Sequence, residues 1–478
     1  MGGSATVSQK EKGNFYTNPN HSSILKVFYL AWPALILQFL HLIINLWDRF
    51  IAGRFLLVDS SSHLSIQTAQ TTGQYFAWLI SSYSVIVTVG TTALIARFIG
   101  ACDFKSASKV VQQSIFLAFL LGTLASILAI SFVPFILQFI GLQGNAASEA
   151  YGFLFNIFIL LPFQMVEAAG IACLVGAGNT FAGLMVLFFV TLLNIPLSFI
   201  LATGFLGIVN LGFPGIALGT SLSHTVGSLI VLMLLWRGSS GLKWDCREKA
   251  DFDILLRLLR ISLPAGLDSL SIGIGQFLFL AIINRLGEAA GGAHGIALGW
   301  EALGYLSGAA FGTAATALVG LNLGAGLPKE AARCAWTAYG LGAVFMSFMG
   351  GLFYFFAEPM FLVFCPEPGQ SEIIRIGAPV LRLIAFAMPF LASCIIMTAA
   401  LRGAGDTRMP VIYTVIGFFL LRIPVALLFA RNPDQSDFMP TLALGLLGAW
   451  IAMFVDLFVR GILLLTRFST GAWKNVKV

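Results

Sequence analysis

The two halves of this chain carry the same words in the same order. Leu161-Pro162-Phe163 is followed, eleven residues after the Phe, by Leu174-Val175-Gly176-Ala177-Gly178-Asn179-Thr180. Met388-Pro389-Phe390 is followed at the same spacing by Leu401-Arg402-Gly403-Ala404-Gly405-Asp406-Thr407. A second pair agrees: Thr92 to Ala101 matches Thr316 to Ala325, and Lys105 and Ala107 then match Lys329 and Ala331. Short strings of this kind mean nothing singly, but two long matches at nearly the same offset define an internal repeat. Whatever one half folds into, the other must fold into as well. Duplicated hydrophobic halves are a mark of secondary transporters, whose substrate path runs between the repeats.

The halves are hydrophobic enough for that. Hydrophobic residues make up 58% of the chain and charged residues 10%, against roughly 25% charged in a soluble domain. Apolar runs recur, each sufficient for the roughly 20-residue helix that crosses a bilayer. They predict spans near 26–49, 73–96, 111–133, 150–174, 181–203 and 212–236, then 261–284, 294–320, 335–357, 377–400, 410–430 and 441–466. In lipid the backbone must satisfy itself within each segment, so these are helices. The short alternating strands of a membrane barrel are not present.

The expected architecture is an all-α polytopic membrane protein with about twelve transmembrane helices. These form two six-helix bundles related by a pseudo-two-fold axis along the membrane normal, because an even number of spans returns the second half to the orientation of the first. The organisation predicted is an N-terminal tail over 1–25, an N-lobe over 26–236, a linker over 237–253, a C-lobe over 254–466 and a C-terminal tail over 467–478. Most of the 27 basic residues fall in the tails and in loops on one side, with the heaviest cluster at Arg237, Lys243, Arg247, Lys249, Arg257 and Arg260. The opposite side holds Arg49, Arg54, Arg285, Arg375 and Arg431. Positive loops face the cytoplasm, so both termini and the linker are expected there, in a plasma (inner) membrane. The polar N-terminus lacks the compact apolar core of a signal peptide.

The net charge of +6 is therefore a topology signal. Nucleic acid is not an expected partner, since no compact basic domain is present. The six cysteines form no CxxC pair and suggest neither a disulfide framework nor a zinc site. No HExxH, GxSxG or P-loop motif points to an enzyme.

The GAGNT and GAGDT turns join the fourth to the fifth helix of each half. Asn179 or Asp406 can cap the helix that follows. Pro162 and Pro389 can kink the fourth helix of each half, and Pro33 and Pro264 read as N-terminal helix prolines.

Buried acids need a reason, because a charge at the bilayer centre costs about 2.5–3.5 kcal/mol on insertion scales. They are Asp48, Glu167, Asp268, Glu301 and Asp456. Gln38, His41, Asn45 and Asp48 are spaced i, i+3, i+7 and i+10, within about 80° of one another on the first helix. Lipid would reject that face, so it lines a cavity or bonds to other helices. Thr191, Asn194 and Ser198 share one face of the fifth helix. Asp456 can pair with Arg460 at i+4, and Arg382 and Arg422, within spans, are expected to neutralise such acids.

The opening segment LAWPALILQFLHLIINLWDRFIAGRF, the paired TAL and GAG(N/D)T segments, and Ala293 to Gly320 together resemble the multidrug and toxic compound extrusion family. The resemblance covers nearly the whole chain from about residue 24. It implies a two-bundle antiporter that exports organic cations and amphipathic compounds in exchange for H+ or Na+, with no cofactor and no obligate protein partner. It implies coupling-ion binding at Asp48, with Asn194, Ser198 and Thr220 as its companions or as a possible Na+ cage. Gln38, His41, Asn45, Glu167, Asp268 and Glu301 are then candidates for substrate contact or proton relay.

The sequence departs from the family pattern at Ser198, where many members carry Asp or Asn, and at Ile272, where sodium-coupled members often carry Glu. One carboxylate among neutral groups favours H+ over Na+. Alternatives are a lipid-linked precursor flippase, expected to show a cationic cleft, and an integral membrane enzyme.

Overall fold

A computed structural model of the chain describes residues 15–56, 60–139, 144–207, 210–244, 251–365, 371–431 and 444–476. Arg247, Lys249 and Cys246 of the expected linker, and the start of the N-terminal tail, lie outside the described residues. The other five cysteines are free.

The first half supplies α1 (Ser23–Arg54), α2 (Ser60–Gly100), α3 (Phe104–Phe139), α4 (Gly144–Ile159), α5 (Leu161–Gly176), α6 (Thr180–Thr203) and α7 (Phe213–Trp236). The second supplies α8 (Phe252–Asn284), α9 (Glu288–Gly324), α10 (Pro328–Phe355), the short α11 (Ala357–Leu362), α12 (Ser371–Ala404), α13 (Arg408–Val415), α14 (Ile423–Phe429) and α15 (Gly445–Ser469). A π-helical stretch, Ile416–Arg422, joins α13 to α14. Among the described residues eleven helices are long and apolar enough to cross a membrane, or twelve when the bent pair α4 and α5 counts as one span. The expected all-helical class with twelve spans is what the chain forms.

Helix ends extend past the apolar runs. α2 begins at Ser60, well before the run expected from residue 73, because its first turns are rich in serine, threonine and glutamine. Such residues leave the helical backbone bonds intact while carrying little apolar weight.

The prolines divide into two kinds. Pro162 stands in the first turn of α5, and the chain bends by 51° between α4 and α5. This is the kink expected where proline withdraws a backbone donor. Pro389 lies inside the continuous α12. Pro33 and Pro264 are not N-terminal: α1 and α8 begin at Ser23 and Phe252, so both prolines fall in helix interiors. In α8 the charged Asp253, Arg257 and Arg260 hid the start from an apolar-run reading.

The repeated turns also part company. Gly178 and Gly405 both adopt positive φ, 76° and 89°, as tight reversals require. Asn179 caps α6, its side chain accepting from the Ala182 backbone N–H at 3.2 Å. Asp406 does not cap α13. Its carboxylate accepts from Arg467 at 2.8 and 3.0 Å instead, since a guanidinium is the stronger partner for a carboxylate.

Two compact units are present. The first comprises the described residues up to Thr17 and residues 36–262; the second comprises 18–35 and 263–478. Within the first, α6 lies along α7, and α5 packs on α2, α3 and α7. The C-terminal part of α1 is held to α6 by Ile44, Leu187 and Val190, with Leu37 and Leu40 packed on them. Ile36, Phe39, Ile43, Leu46 and Phe50 form the exposed apolar stripe of α1, opposite Gln38, His41, Asn45 and Asp48. Within the second unit, α12 is the central helix, in contact with α9, α10, α11 and α15.

Candidate functional site

Glycine spacing on α7 sets the geometry of the first unit. Gly215 and Gly219 lie one turn apart and face Leu201 and Ser198 of α6. Small residues at this spacing let two helix backbones approach closely. The next residue, Thr220, is thereby pressed against α6.

A hydrogen-bonded chain results. Thr220 Oγ1 donates to Asp48 Oδ2 at 3.0 Å. Asn194 Nδ2 donates to Thr220 Oγ1 at 2.9 Å and to Ser198 Oγ at 3.1 Å. Ser198 Oγ is 3.4 Å from the Ile216 carbonyl, to which it donates. Asn194 and Ser198 are fully buried. Trp47 Nε1–H donates to the Ile195 carbonyl at 2.9 Å and fixes the rotation of α1 beside Asp48. The second carboxylate oxygen, Asp48 Oδ1, and Asn194 Oδ1 have no hydrogen-bond partner among the described residues.

This chain borders a cavity of about 610 Å³ that lies inside the first unit. Gln38, His41, Asn45, Asp48 and Thr220 line it, so the polar stripe of α1 faces the cavity as its spacing implied. Glu167 and His224 line it too, and His224 Nδ1 is hydrogen-bonded to Glu167 Oε2 at 2.6 Å. Each of those residues is conspicuous in sequence, but nothing in the spacing joins them, since 57 positions separate them. Ser81 and Ser84 of α2 and Gln164 of α5 also line the cavity. Gln164 shares the helix face of Glu167 at i−3; the serines give no sequence signal, because isolated hydroxyls in apolar runs are common.

Asp268 and Glu301 belong to the second unit and are not brought to this cavity. Arg402 Nη2 donates to Asp268 Oδ2 at 2.7 Å. Asp456 is paired twice, with Arg422 at 2.6 Å and with Arg460 at 2.9 Å. The i+4 pair is the one expected, and Arg422 is the expected neutraliser. Gly417 leaves the room that the Asp456 carboxylate fills, and the Arg422 guanidinium lies 4.1 Å from the Phe418 ring centroid. Arg382 neutralises none of the buried acids. It pairs with the exposed Glu358 at 2.7 Å, because α11 packs against α12 and brings that carboxylate beside it.

The pattern of relatives accords with this arrangement. The MatE family model matches twice, over residues 33–200 and 264–428, once in each repeat. The chain belongs to the MatE family. It is a multi-pass membrane transporter and not an enzyme. A probable multidrug resistance protein NorM of Thermotoga maritima is 28% identical to this MatE chain over 454 residues, 93% of this chain and 92% of that protein. Multidrug resistance protein PmpM of Pseudomonas aeruginosa is 24% identical, covering 95% of this chain and 93% of its own length.

Among solved structures, an outward-facing multidrug resistance MATE family transporter of the MOP superfamily superposes with a TM-score of 0.84 at 21% identity, over 96% of this chain and 98% of that one. A MOP superfamily transporter from Pyrococcus furiosus, described as having a binding pocket of reverse polarity, gives 0.86 at 20% identity, over 97% and 99%. Such identities speak for the fold of this MatE chain, a two-bundle helical architecture.

Proposed function

We infer that the protein is a secondary antiporter that exports organic cations or amphipathic compounds in exchange for protons, by alternating access. The observation that carries this reading is the chain Asp48–Thr220–Asn194–Ser198, which ends in a carboxylate set beside a polar cavity. Asp48 and Glu167 give that cavity two carboxylates, with Arg49 as the single arginine of its lining. The balance favours a cationic guest. Relatives named as multidrug resistance proteins support an organic one.

The choice of proton over sodium rests on donor direction. A sodium ion needs converging oxygen ligands. Here Asn194 turns its Nδ2 toward Ser198 and Thr220, and the Thr220 hydroxyl donates to Asp48. Asp48 is also the one carboxylate of the four, so the group can take a proton without a further charged ligand. Protonated, Asp48 is neutral and α1 can repack on its neighbours. Ionised, it requires water or a cation beside it. The two states differ in what they bind, which coupling requires. The protein is placed in the plasma membrane with both termini and the 237–253 linker cytoplasmic, on the strength of its Lys/Arg asymmetry.

The test is efflux of a fluorescent organic cation from reconstituted vesicles, with proton and sodium gradients imposed separately and the membrane potential clamped. A pH gradient alone should drive transport. Asp48→Asn should lower the coupled rate by about tenfold or more while leaving the protein folded. Robust sodium-driven transport at equal pH would overturn the proton assignment and make Asp48, Asn194, Ser198 and Thr220 a sodium site.

A further inference from the structure

The cavity holds two acid-bearing clusters on adjacent turns of one helix. Thr220, bonded to Asp48, and His224, bonded to Glu167, are spaced i, i+4 on α7 and point into the same space. Glu167 and His224 are 3% and 7% exposed. Glu167 Oε1 has no hydrogen-bond partner among the described residues, and it lies where a side chain on Gly227 would otherwise sit. A purely structural carboxylate at such depth usually gains a guanidinium, as Asp268 and Asp456 of the second unit do. This one is given an imidazole, a partner that can lose its charge near neutral pH.

The surroundings leave the pair free to exchange. From α1 the same cavity receives His41, Asp48 and Arg49; α2 contributes neutral Ser81, Ser84 and Thr88, and α4 contributes Phe153 and Ile157. Val190 of α6 packs beside Gly227 and Glu167. Among the described residues no lysine or arginine is bonded to Glu167.

We propose that Glu167 and His224 form a second proton-exchange site, so that the first unit gives up two protons, not one, for each substrate cation bound. The inference rests on the reading of Asp48 as the coupling carboxyl. The charges balance as follows. With one proton shared between Nδ1 and Oε2 the pair is neutral, and Asp48 with its own proton is neutral. When each cluster releases a proton to water, each becomes singly negative; of the two negative charges gained, a singly charged cation offsets one, and the other is left to Arg49 of the same lining, so each cycle moves one net charge. Rebinding of two protons restores the starting state and removes the attraction. Coupling to two protons also explains why a polar hydroxyl-rich wall is useful beside the pair, since it can carry water between the two clusters.

The decisive measurement counts protons. Purified protein in nanodiscs is titrated between pH 8.5 and 5.5, and total proton uptake is compared between variants. Asp48→Asn and Glu167→Gln should each take up one proton fewer than the unaltered protein, and the double variant two fewer. Gln at 167 keeps a hydrogen bond to the imidazole, so a merely structural role would leave the count unchanged, and Glu167→Asp should restore it. If Glu167→Gln does not fold, Glu167→Gln with His224→Gln places an amide pair at the same point and should show the same deficit.

A second readout uses ethidium in vesicles at zero membrane potential with a pH difference of one unit. Each coupled proton supports about a tenfold gradient, so the unaltered protein should hold ethidium at about a hundredfold and Glu167→Gln at about tenfold. An unchanged proton count in Glu167→Gln would overturn the second site while leaving the Asp48 reading intact. An unchanged count in Asp48→Asn alone would overturn the Asp48 reading and leave the second site standing.

Discussion

A methyl group on Gly219 would sit 2.5 Å from the Ser198 Cα and 2.6 Å from its backbone nitrogen. Neither atom can move without the helix that carries it. Gly219→Ala is expected to destabilise the protein by about 1–3 kcal/mol through overpacking and to part α6 from α7. The 2.9 Å bond from Asn194 to Thr220 would then lengthen or break, and coupled transport would fall with it. Thermal unfolding in detergent and vesicle efflux, measured side by side, check this. Gly340→Ala, at a position with open space around it, should change neither. Much of this site was legible beforehand. The stripe Gln38, His41, Asn45 and Asp48 marks a helix face that lipid would reject, and the family resemblance supplied Asn194, Ser198 and Thr220. The Glu167–His224 bond was not legible, because helical periodicity relates residues within a helix and is silent about which helices meet.

The most unusual element is the π-helical stretch Ile416–Arg422, which delivers Arg422 to Asp456. Asp456 is fully buried, and Arg422 is 2% exposed. Removing the carboxylate alone strands two guanidinium groups in the interior. Asp456→Ala is therefore expected to cost about 3–5 kcal/mol. Replacing Asp456, Arg422 and Arg460 together by Leu, Met and Leu should recover most of that loss, because it removes the uncompensated charges as well. Denaturant titration of both variants distinguishes the two outcomes. The Asp456–Arg460 pair could be read from its i+4 spacing, and the break at Pro162 from the proline itself. The π turn could not, since a single extra residue in a helical turn leaves the apolar pattern almost unaltered. Asp406 and Asn179 occupy matching places in the repeat, yet one pairs with Arg467 and the other caps a helix. Only tertiary structure decides that difference, because Arg467 arrives from a helix 61 positions away.

Across the whole chain, twelve spans and a duplication were visible in sequence because both rest on long-range regularities: runs of apolar residues and repeated words. The family match falls on the same two halves. The proposed orientation is open to a direct check. In a variant lacking the exposed Cys102, a cysteine placed at Ser239 should resist an impermeant thiol reagent applied to intact cells and react with it in inverted vesicles. Labelling from outside would reverse the topology. The duplication has a further consequence in how the two copies treat their acids. In the first, Asp48 and Glu167 are partnered by a hydroxyl and an imidazole. In the second, Asp268, Asp406 and Asp456 are each held by arginine. To revive any of these three carboxylates as a titrating group, a guanidinium must go first, and its loss takes away the charge that now offsets the carboxylate. To silence the first copy, neutral substitutions at Asp48 and Glu167 suffice, and neither strands a guanidinium. At these positions the mutational path crosses a stability barrier in one direction that it does not meet in the other, so drift between the two conditions is not symmetric.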